Sequence, residues 1–263
     1  MEKTPGVLLR RAFNDFARRG SIFMNAFMAL AVTVAYFVKG LCGFANTLVF
    51  TTLMSFQMNN VSLSPIDLLT GFPANLLLAW RERKNAKPLV WGPLSIVVLL
   101  GVIPGAIFLK TGNAQSIKLL FGGVVVAIGL ENLLRKRVEQ KALPKWAFLS
   151  IGLISGVLSG LYGVGALLAA CVNRAADNAS EFRANLCIIF SIENVFRIFL
   201  YSALGLITGP VLVTALVLTP FMLLGLFMGM RIAGRVTEQN ARRIVNIALI
   251  LSGTALVAGN LFK

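Results

Sequence analysis

FVKGLCGFANT at residues 37–47 and VLSGLYGVGAL at residues 157–167 are two versions of one stretch. With Gly40 set on Gly160, Leu41 falls on Leu161 and Gly43 on Gly163, while Cys42 faces Tyr162. Each copy is a glycine-rich break between two apolar segments, and each opens one half of the chain. Around the first copy the apolar segments run over 22–38, 43–58, 65–80, 89–109 and 117–134. Around the second they run over 146–158, 166–172, 182–204, 211–230 and 244–261. The likeness extends past the break: Gly101 and Gly105 match Gly225 and Gly229, and Asn75 falls where Asn194 lies. Small residues four apart let helices approach closely, so these glycine pairs read as packing positions.

The chain is 57% hydrophobic and 13% charged, with a mean hydropathy of +0.81. That is more apolar surface than a soluble domain can bury, and it predicts an all-α polytopic membrane protein. The formal net charge of +15 does not point to nucleic acid, because the charges sit in short clusters between apolar spans. With five segments per half, Lys39 and the basic clusters at 81–87, 135–145, 174–183 and 231–243 fall on one side. Positive charge marks that side as cytoplasmic. The loops at 59–64 and 204–209 fall on the other, and neither carries a charge. An odd number of segments inverts the second half relative to the first, an arrangement found in secondary transporters. The predicted organisation is a first repeat over 21–134, a basic linker over 135–145 and a second repeat over 146–263. Residues 1–20 carry Arg10, Arg11, Arg18 and Arg19 among Leu8, Leu9, Phe13 and Phe16, which suits a helix lying on the membrane surface. No cleavage pattern stands out, so this segment reads as mature protein.

The segments beside the breaks are short of the roughly 20 residues that span the hydrocarbon. Each pair is expected to form a re-entrant hairpin whose tip stops near the midplane. Helices beginning at the tips, near Gly43 and Gly163, present unpaired backbone N–H groups and a positive dipole end. Glycine allows close approach to that backbone, so two such ends aimed at one point favour a small anion. The substrate-binding residues expected from this are Lys39, Gly40, Gly43 and Asn46 in the first half, with Asn75 further on. In the second half they are Ser159, Gly160, Tyr162, Gly163, Asn194 and Arg197. Thr47 is a further donor at the first tip. Lys39 is either a snorkelling side chain at a helix end or a cation that attracts the substrate. Glu193 and Arg197 lie four apart in a long apolar helix, where charges are costly unless paired. They form a structural pair, or Arg197 holds the anion while Glu193 is its counter-ion or carries a proton. Asp67 reads as a cap for the third helix.

The chain has no histidine, which removes histidine-based catalysis, metal sites and proton relays. Its three cysteines, Cys42, Cys171 and Cys187, share no metal-ligand spacing and read as small buried hydrophobes. Neither a cofactor, nor a metal, nor a catalytic residue is expected. Ser155-Gly156 and Ser159-Gly160 resemble intramembrane serine protease sequence, but no histidine is present to act as base. The alternatives to a transporter are an anion channel and an intramembrane enzyme.

The run GLISGVLSGLYGVG at 152–165, followed by EFRANL at 181–186, resembles the sulfite exporter TauE/SafE family of integral membrane transporters. Gly40–Gly43 with Phe44 is similar to that family's opening GFGGG region. The likeness covers roughly residues 27–260. Ala45, Asn46 and Ala166 stand where the family commonly has glycine. The resemblance implies a multi-pass protein of the plasma (inner) membrane that moves sulfite, organosulfonates or related carboxylates, mostly outward. Its partners would be that small anion, the bilayer and a second copy in a homo-oligomer, with no nucleic acid.

Overall fold

The computed structural model describes residues 26–41, 43–55, 57–134, 145–233 and 254. The expectations for the surface helix at 1–20, for Cys42, for the linker at 135–145 and for the closing segment at 244–261 lie outside the described residues, Lys145 and Thr254 apart. The described secondary structure is helical throughout. The elements are α1 (Ala26–Leu41), α2 (Asn46–Met54), α3 (Asn60–Glu82), α4 (Pro88–Thr111) and α5 (Ala114–Leu134), followed by α6 (Lys145–Tyr162), α7 (Ala166–Ala175), α8 (Ala179–Ala203) and α9 (Gly209–Ile232). A 3₁₀ turn, Arg83–Asn85, joins α3 to α4.

Four helices, α3, α4, α8 and α9, are long and apolar enough to cross a membrane. Their outward residues are large and apolar: Ile96, Leu100 and Ile103 on α4, and Val213, Leu216, Val217 and Leu224 on α9 are all exposed. In water such a surface would drive aggregation; against lipid tails it costs nothing. Trp80 and Trp146 are exposed near helix ends, where aromatic rings sit well at the headgroup level. By contrast α2 has 9 residues and α7 has 10. At 1.5 Å per residue each is about 15 Å long, roughly half the hydrocarbon thickness.

The glycine pairs do what their spacing predicts. A Cβ built on Gly156 would strike the carbonyl oxygen of Val98 and lie 2.9 Å from the Cα of Gly101, and one on Gly105 would strike the carbonyl oxygen of Val157. So α4 and α6 pack backbone to backbone. A Cβ on Gly225 or Gly229 would strike the carbonyl oxygen of Thr33 or Phe37, which places α9 equally close to α1. The helix that opens each half of the sequence therefore docks on a glycine-bearing helix of the other half. Without a hydrophobic force between helices in lipid, such close contact is a main source of association.

The third helix begins earlier than the sequence suggested. The uncharged stretch around 60–64 is already helical, with Asn59 extended before it (φ −85°, ψ 147°), and Pro65 and Pro73 lie inside the helix. Asp67 is thus two turns in and does not cap the helix. At the far end of α3 the EFRANL stretch forms an ionic clamp. Lys87 Nζ lies 2.7 Å from Asp177 and 3.0 Å from Glu181, and Arg183 lies 3.6 Å from Glu82. The backbone N–H of Lys87 donates to Asn185 Oδ1. Asn178 caps α8 by accepting from the Glu181 N–H at 2.9 Å, the arrangement expected of Asn at this position.

Candidate functional site

Both breaks are built alike. Gly43 N–H donates to the Lys39 carbonyl and Gly163 N–H to the Ser159 carbonyl, each at 2.7 Å. Gly43 (φ 84°) and Gly163 (φ 74°) are in the left-handed region, which a glycine enters at no steric cost. Each glycine reverses the chain so that a short helix starts within a few residues. The first backbone bonds of these helices are Val49 to Ala45 and Ala169 to Gly165. The amides of the first turn of each helix, from Asn46 and from Ala166, therefore have no intrahelical carbonyl.

The two breaks meet at one cavity of about 30 Å³, room for a water molecule or two. Residues 44–48 of the first break and 163–166 of the second line it. The remaining walls come from α1, α3, α6 and α8. Four charged side chains reach it: Lys39 from α1, Asp67 from α3, and Glu193 and Arg197 from α8. All are between 1% and 4% exposed.

Lys39 does not snorkel. Its ammonium donates to Asn75 Oδ1 at 2.6 Å and to Asn46 Oδ1 at 3.0 Å, and lies 5.8 Å from the centroid of the Phe190 ring. Asn46 Nδ2 donates in turn to Tyr36 Oη and to Thr47 Oγ1. Thr47 donates to Asp67 Oδ2 at 2.5 Å. A single polar chain therefore runs from the Lys39 cation to the Asp67 carboxylate through the first two residues of α2. On the other wall Arg197 Nη1 is 3.6 Å from Glu193 Oε1, the pairing that their spacing predicts. Ser159 donates to the same carboxylate oxygen. Arg197 Nη2 donates to Tyr201 Oη at 2.8 Å and to Ser64 Oγ at 3.0 Å, and Tyr201 Oη donates to the Gly160 carbonyl at 2.8 Å. These bonds fix the guanidinium beside Gly163, where an added Cβ would come within 3.2 Å of Nη1.

Of the residues expected to bind substrate, Lys39, Asn46, Asn75, Ser159, Gly163, Asn194 and Arg197 line the cavity, as does Glu193. Gly40, Gly43, Gly160 and Tyr162 do not line it. Gly40 and Gly160 are packing positions: a Cβ on Gly40 would lie 2.5 Å from the Leu226 carbonyl oxygen and 2.7 Å from the Met230 nitrogen, and one on Gly160 would be 3.0 Å from the Ala106 nitrogen. Gly43 faces the Arg183 side chain. Tyr162 turns away, donating to the Ile117 carbonyl with its ring centroid 4.9 Å from that of Phe121. Asp67, Tyr36, Ser64 and Tyr201 were missed as members of the site. A signal for them exists in the sequence: Ser64, Asp67, Gly71 and Asn75 recur every three or four residues along α3, as do Glu193, Arg197 and Tyr201 along α8. Each set is a polar stripe on an otherwise apolar helix. Among the described residues no group of acidic or cysteine side chains is placed to hold a metal, and Cys171 and Cys187 are buried and free.

Long apolar helices enclosing a charged cavity in their interior define a multi-pass membrane protein whose polar chemistry is kept from the lipid. Residues 28–256 match the family model of the sulfite exporter TauE/SafE, and the chain belongs to that family of membrane transporters. It is 25% identical over 167 residues to a probable sulfite/organosulfonate exporter TauE of Cupriavidus necator, a match covering 62% of this chain and 65% of that protein. No solved structure matches the chain.

Proposed function

We propose that this protein is a secondary transporter that moves a small oxyanion, sulfite, an organosulfonate or a related carboxylate, out across the plasma membrane. The carrying observation is that two buried cations, Lys39 and Arg197, border the one cavity at which both short helices begin. A positive helix end and a fixed cation act in the same sense on an anion. The family membership and the similarity to a probable sulfite/organosulfonate exporter support the same class of substrate.

In this proposal the two halves are inverted repeats and the breaks are the tips of re-entrant hairpins that meet near the midplane. Transport is by alternating access. A cavity of about 30 Å³ does not hold an organosulfonate, so loading requires the surrounding helices to part. A cell interior held negative favours exit of an anion by about 2.3 kcal/mol per charge per 100 mV.

The test is flux in vesicles of purified protein preloaded with sulfite, sulfoacetate or acetate, with chloride as control. Saturable efflux of a sulfur oxyanion that is lost in Lys39→Ala supports the proposal. Flux that does not saturate marks a channel. Failure of every anion to move under an imposed potential sinks the proposal.

A further inference from the structure

The cavity holds two cations and two carboxylates, so its formal charge is already balanced: Lys39 and Arg197 against Asp67 and Glu193. This is awkward for a site that receives an anion. Adding one negative charge to a balanced site under 5% exposed leaves an uncompensated charge in a medium that solvates it poorly. Balance returns if one positive charge enters with the substrate. The two carboxylates are not equivalent candidates for taking it up. Glu193 has Arg197 as an ion-pair partner and Ser159 as a donor, both at Oε1. Asp67 accepts from Thr47 through Oδ2, with the Asn46 side chain beside it, and forms no ion pair within 4 Å among the described residues. Its Oδ1 is buried with no hydrogen-bond partner among the described residues, although Asp67 lines the cavity.

We infer that Asp67 is the coupling site of the transporter, taking one proton on Oδ1 whenever an anion occupies the cavity. The inference rests on the transport proposal above and deepens it. The step balances: one carboxylate and one proton give one neutral carboxyl, and the proton returns to water when the anion leaves. With Asp67 protonated, the cavity holds two cations, Glu193 and the substrate, which is neutral for a monoanion and leaves one excess negative charge rather than two for a dianion such as sulfoacetate. The groups around Asp67 are these. From α1 come Lys39 and Tyr36, from α8 comes Arg197, with Glu193 on the same cavity, and α2 contributes the neutral Asn46 and Thr47. Arg197 is engaged by Glu193, Ser64 and Tyr201, and Lys39 by two amides. Neither cation donates a hydrogen bond to Asp67. Glu193 is then the fixed counter-ion of Arg197, and Asp67 is the group that changes charge.

The test uses vesicles of the full-length protein, a pH-sensitive dye inside, and sulfoacetate, whose two acidic groups stay ionised above about pH 6. With the membrane potential clamped at zero, a gradient of one pH unit should drive sulfoacetate to about a tenfold concentration ratio if one proton accompanies each anion. A sulfoacetate gradient should in turn move protons in the same direction. Asp67→Asn, which imitates the protonated side chain, should abolish both effects and net flux, while exchange of sulfoacetate for sulfoacetate continues. Thr47→Val removes the donor that favours the charged carboxylate and should shift the midpoint of the pH dependence to higher pH. Wild-type transport with no proton movement, or accumulation that follows a sodium gradient instead, overturns the inference and leaves the transport proposal standing. Proton-driven accumulation that survives in Asp67→Asn also overturns it and moves the proton to Glu193. If the wild-type protein moves no sulfoacetate under any gradient, the transport proposal fails for that anion and the inference falls with it.

Discussion

The two breaks share a glycine turn and divide the chemistry, although the residue before the short helix is left-handed at Ala45 (φ 75°) and not at Gly165 (φ −103°). In both, the amide of a left-handed glycine closes on the carbonyl four residues back at 2.7 Å, and a helix of 9 or 10 residues starts within three residues. The first break supplies side chains: Lys39, Asn46 and Thr47 all enter the polar chain of the cavity. The second supplies space. At Lys39's place it has Ser159, and its Gly163 lies bare against the Arg197 guanidinium and the Thr47 methyl. Its cation comes from another helix altogether. Duplicated geometry has thus been filled asymmetrically, with one copy bearing groups and the other making room for them.

The strongest way to break this comparison is to attack what the copies share. Gly156→Leu and Gly229→Leu each force a side chain into a backbone carbonyl, under the second and the first break respectively. Each should cost more than about 3 kcal/mol and abolish monodisperse protein in detergent. Survival of either one would show that the copies do not depend equally on close helix packing. Next come the cations. Arg197→Ala strands Glu193 as a buried unpaired charge and should cost roughly 3–5 kcal/mol of stability. Lys39→Ala strands two amide oxygens and breaks no direct ion pair with a carboxylate, and should cost about 1–3 kcal/mol. Thermal unfolding of the two variants checks the order, and equal losses would count against the division of roles.

A smaller effect sharpens the contrast at the glycines. Gly43→Ala and Gly163→Ala suffer the same left-handed strain, about 1–2 kcal/mol. Only the second places a methyl 3.2 Å from Arg197 Nη1. Anion affinity should fall several-fold in Gly163→Ala and stay near wild type in Gly43→Ala, as titration calorimetry would read. The smallest effect lies at the clamp. Hydrogen bonds to Asp177 and Glu181 hold the Lys87 pKa above the ordinary lysine value. A raised lysine pKa contributes stability below the unfolded-state value, near about 10.4, and loses it as pH rises through the folded-state one. The stability difference between wild type and Lys87→Ala should therefore be flat between about pH 6 and 8, small, and reduced further by salt. A marked change across that range would implicate a different group.

Much of the membrane architecture was legible because lipid leaves few choices. Long apolar runs, paired glycines four apart and a Glu–Arg pair on one helix face each have one good solution, and Gly101, Gly105, Gly225, Gly229, Glu193 and Arg197 adopt it. The cavity lining was legible where a break marks it and where a polar residue interrupts an apolar helix, as at Asn75, Glu193, Asn194 and Arg197. Lys39, Asn46 and Ser159 lie beside the glycines and were found. Gly40, Gly160 and Tyr162 also lie beside them, but the helices run on to Leu41 and Tyr162, so the turn comes later and these three fall into packing. Asp67 was misplaced because Pro65 suggested a helix start, whereas the helix accepts that proline in its interior. Ser64 and Tyr201 gain meaning only when α3 lies along α8, which the order of residues in one chain does not state.

The docking of α1 on α9 sets a schedule for synthesis. α1 is among the first helices made, yet Gly229, against which Gly40 packs, and Gly225, against which Thr33 packs, are translated much later. At about 5–20 residues per second that interval is roughly 10–40 s. Throughout it α1 carries Lys39 into the bilayer, with Asn75 on α3 as the earliest distant partner to arrive. A nascent chain in that state has Lys39 paired with its two amides once α3 is made, but its closest helix contact unmade. Such a chain gains from an insertase that shelters α1 until the last helices emerge.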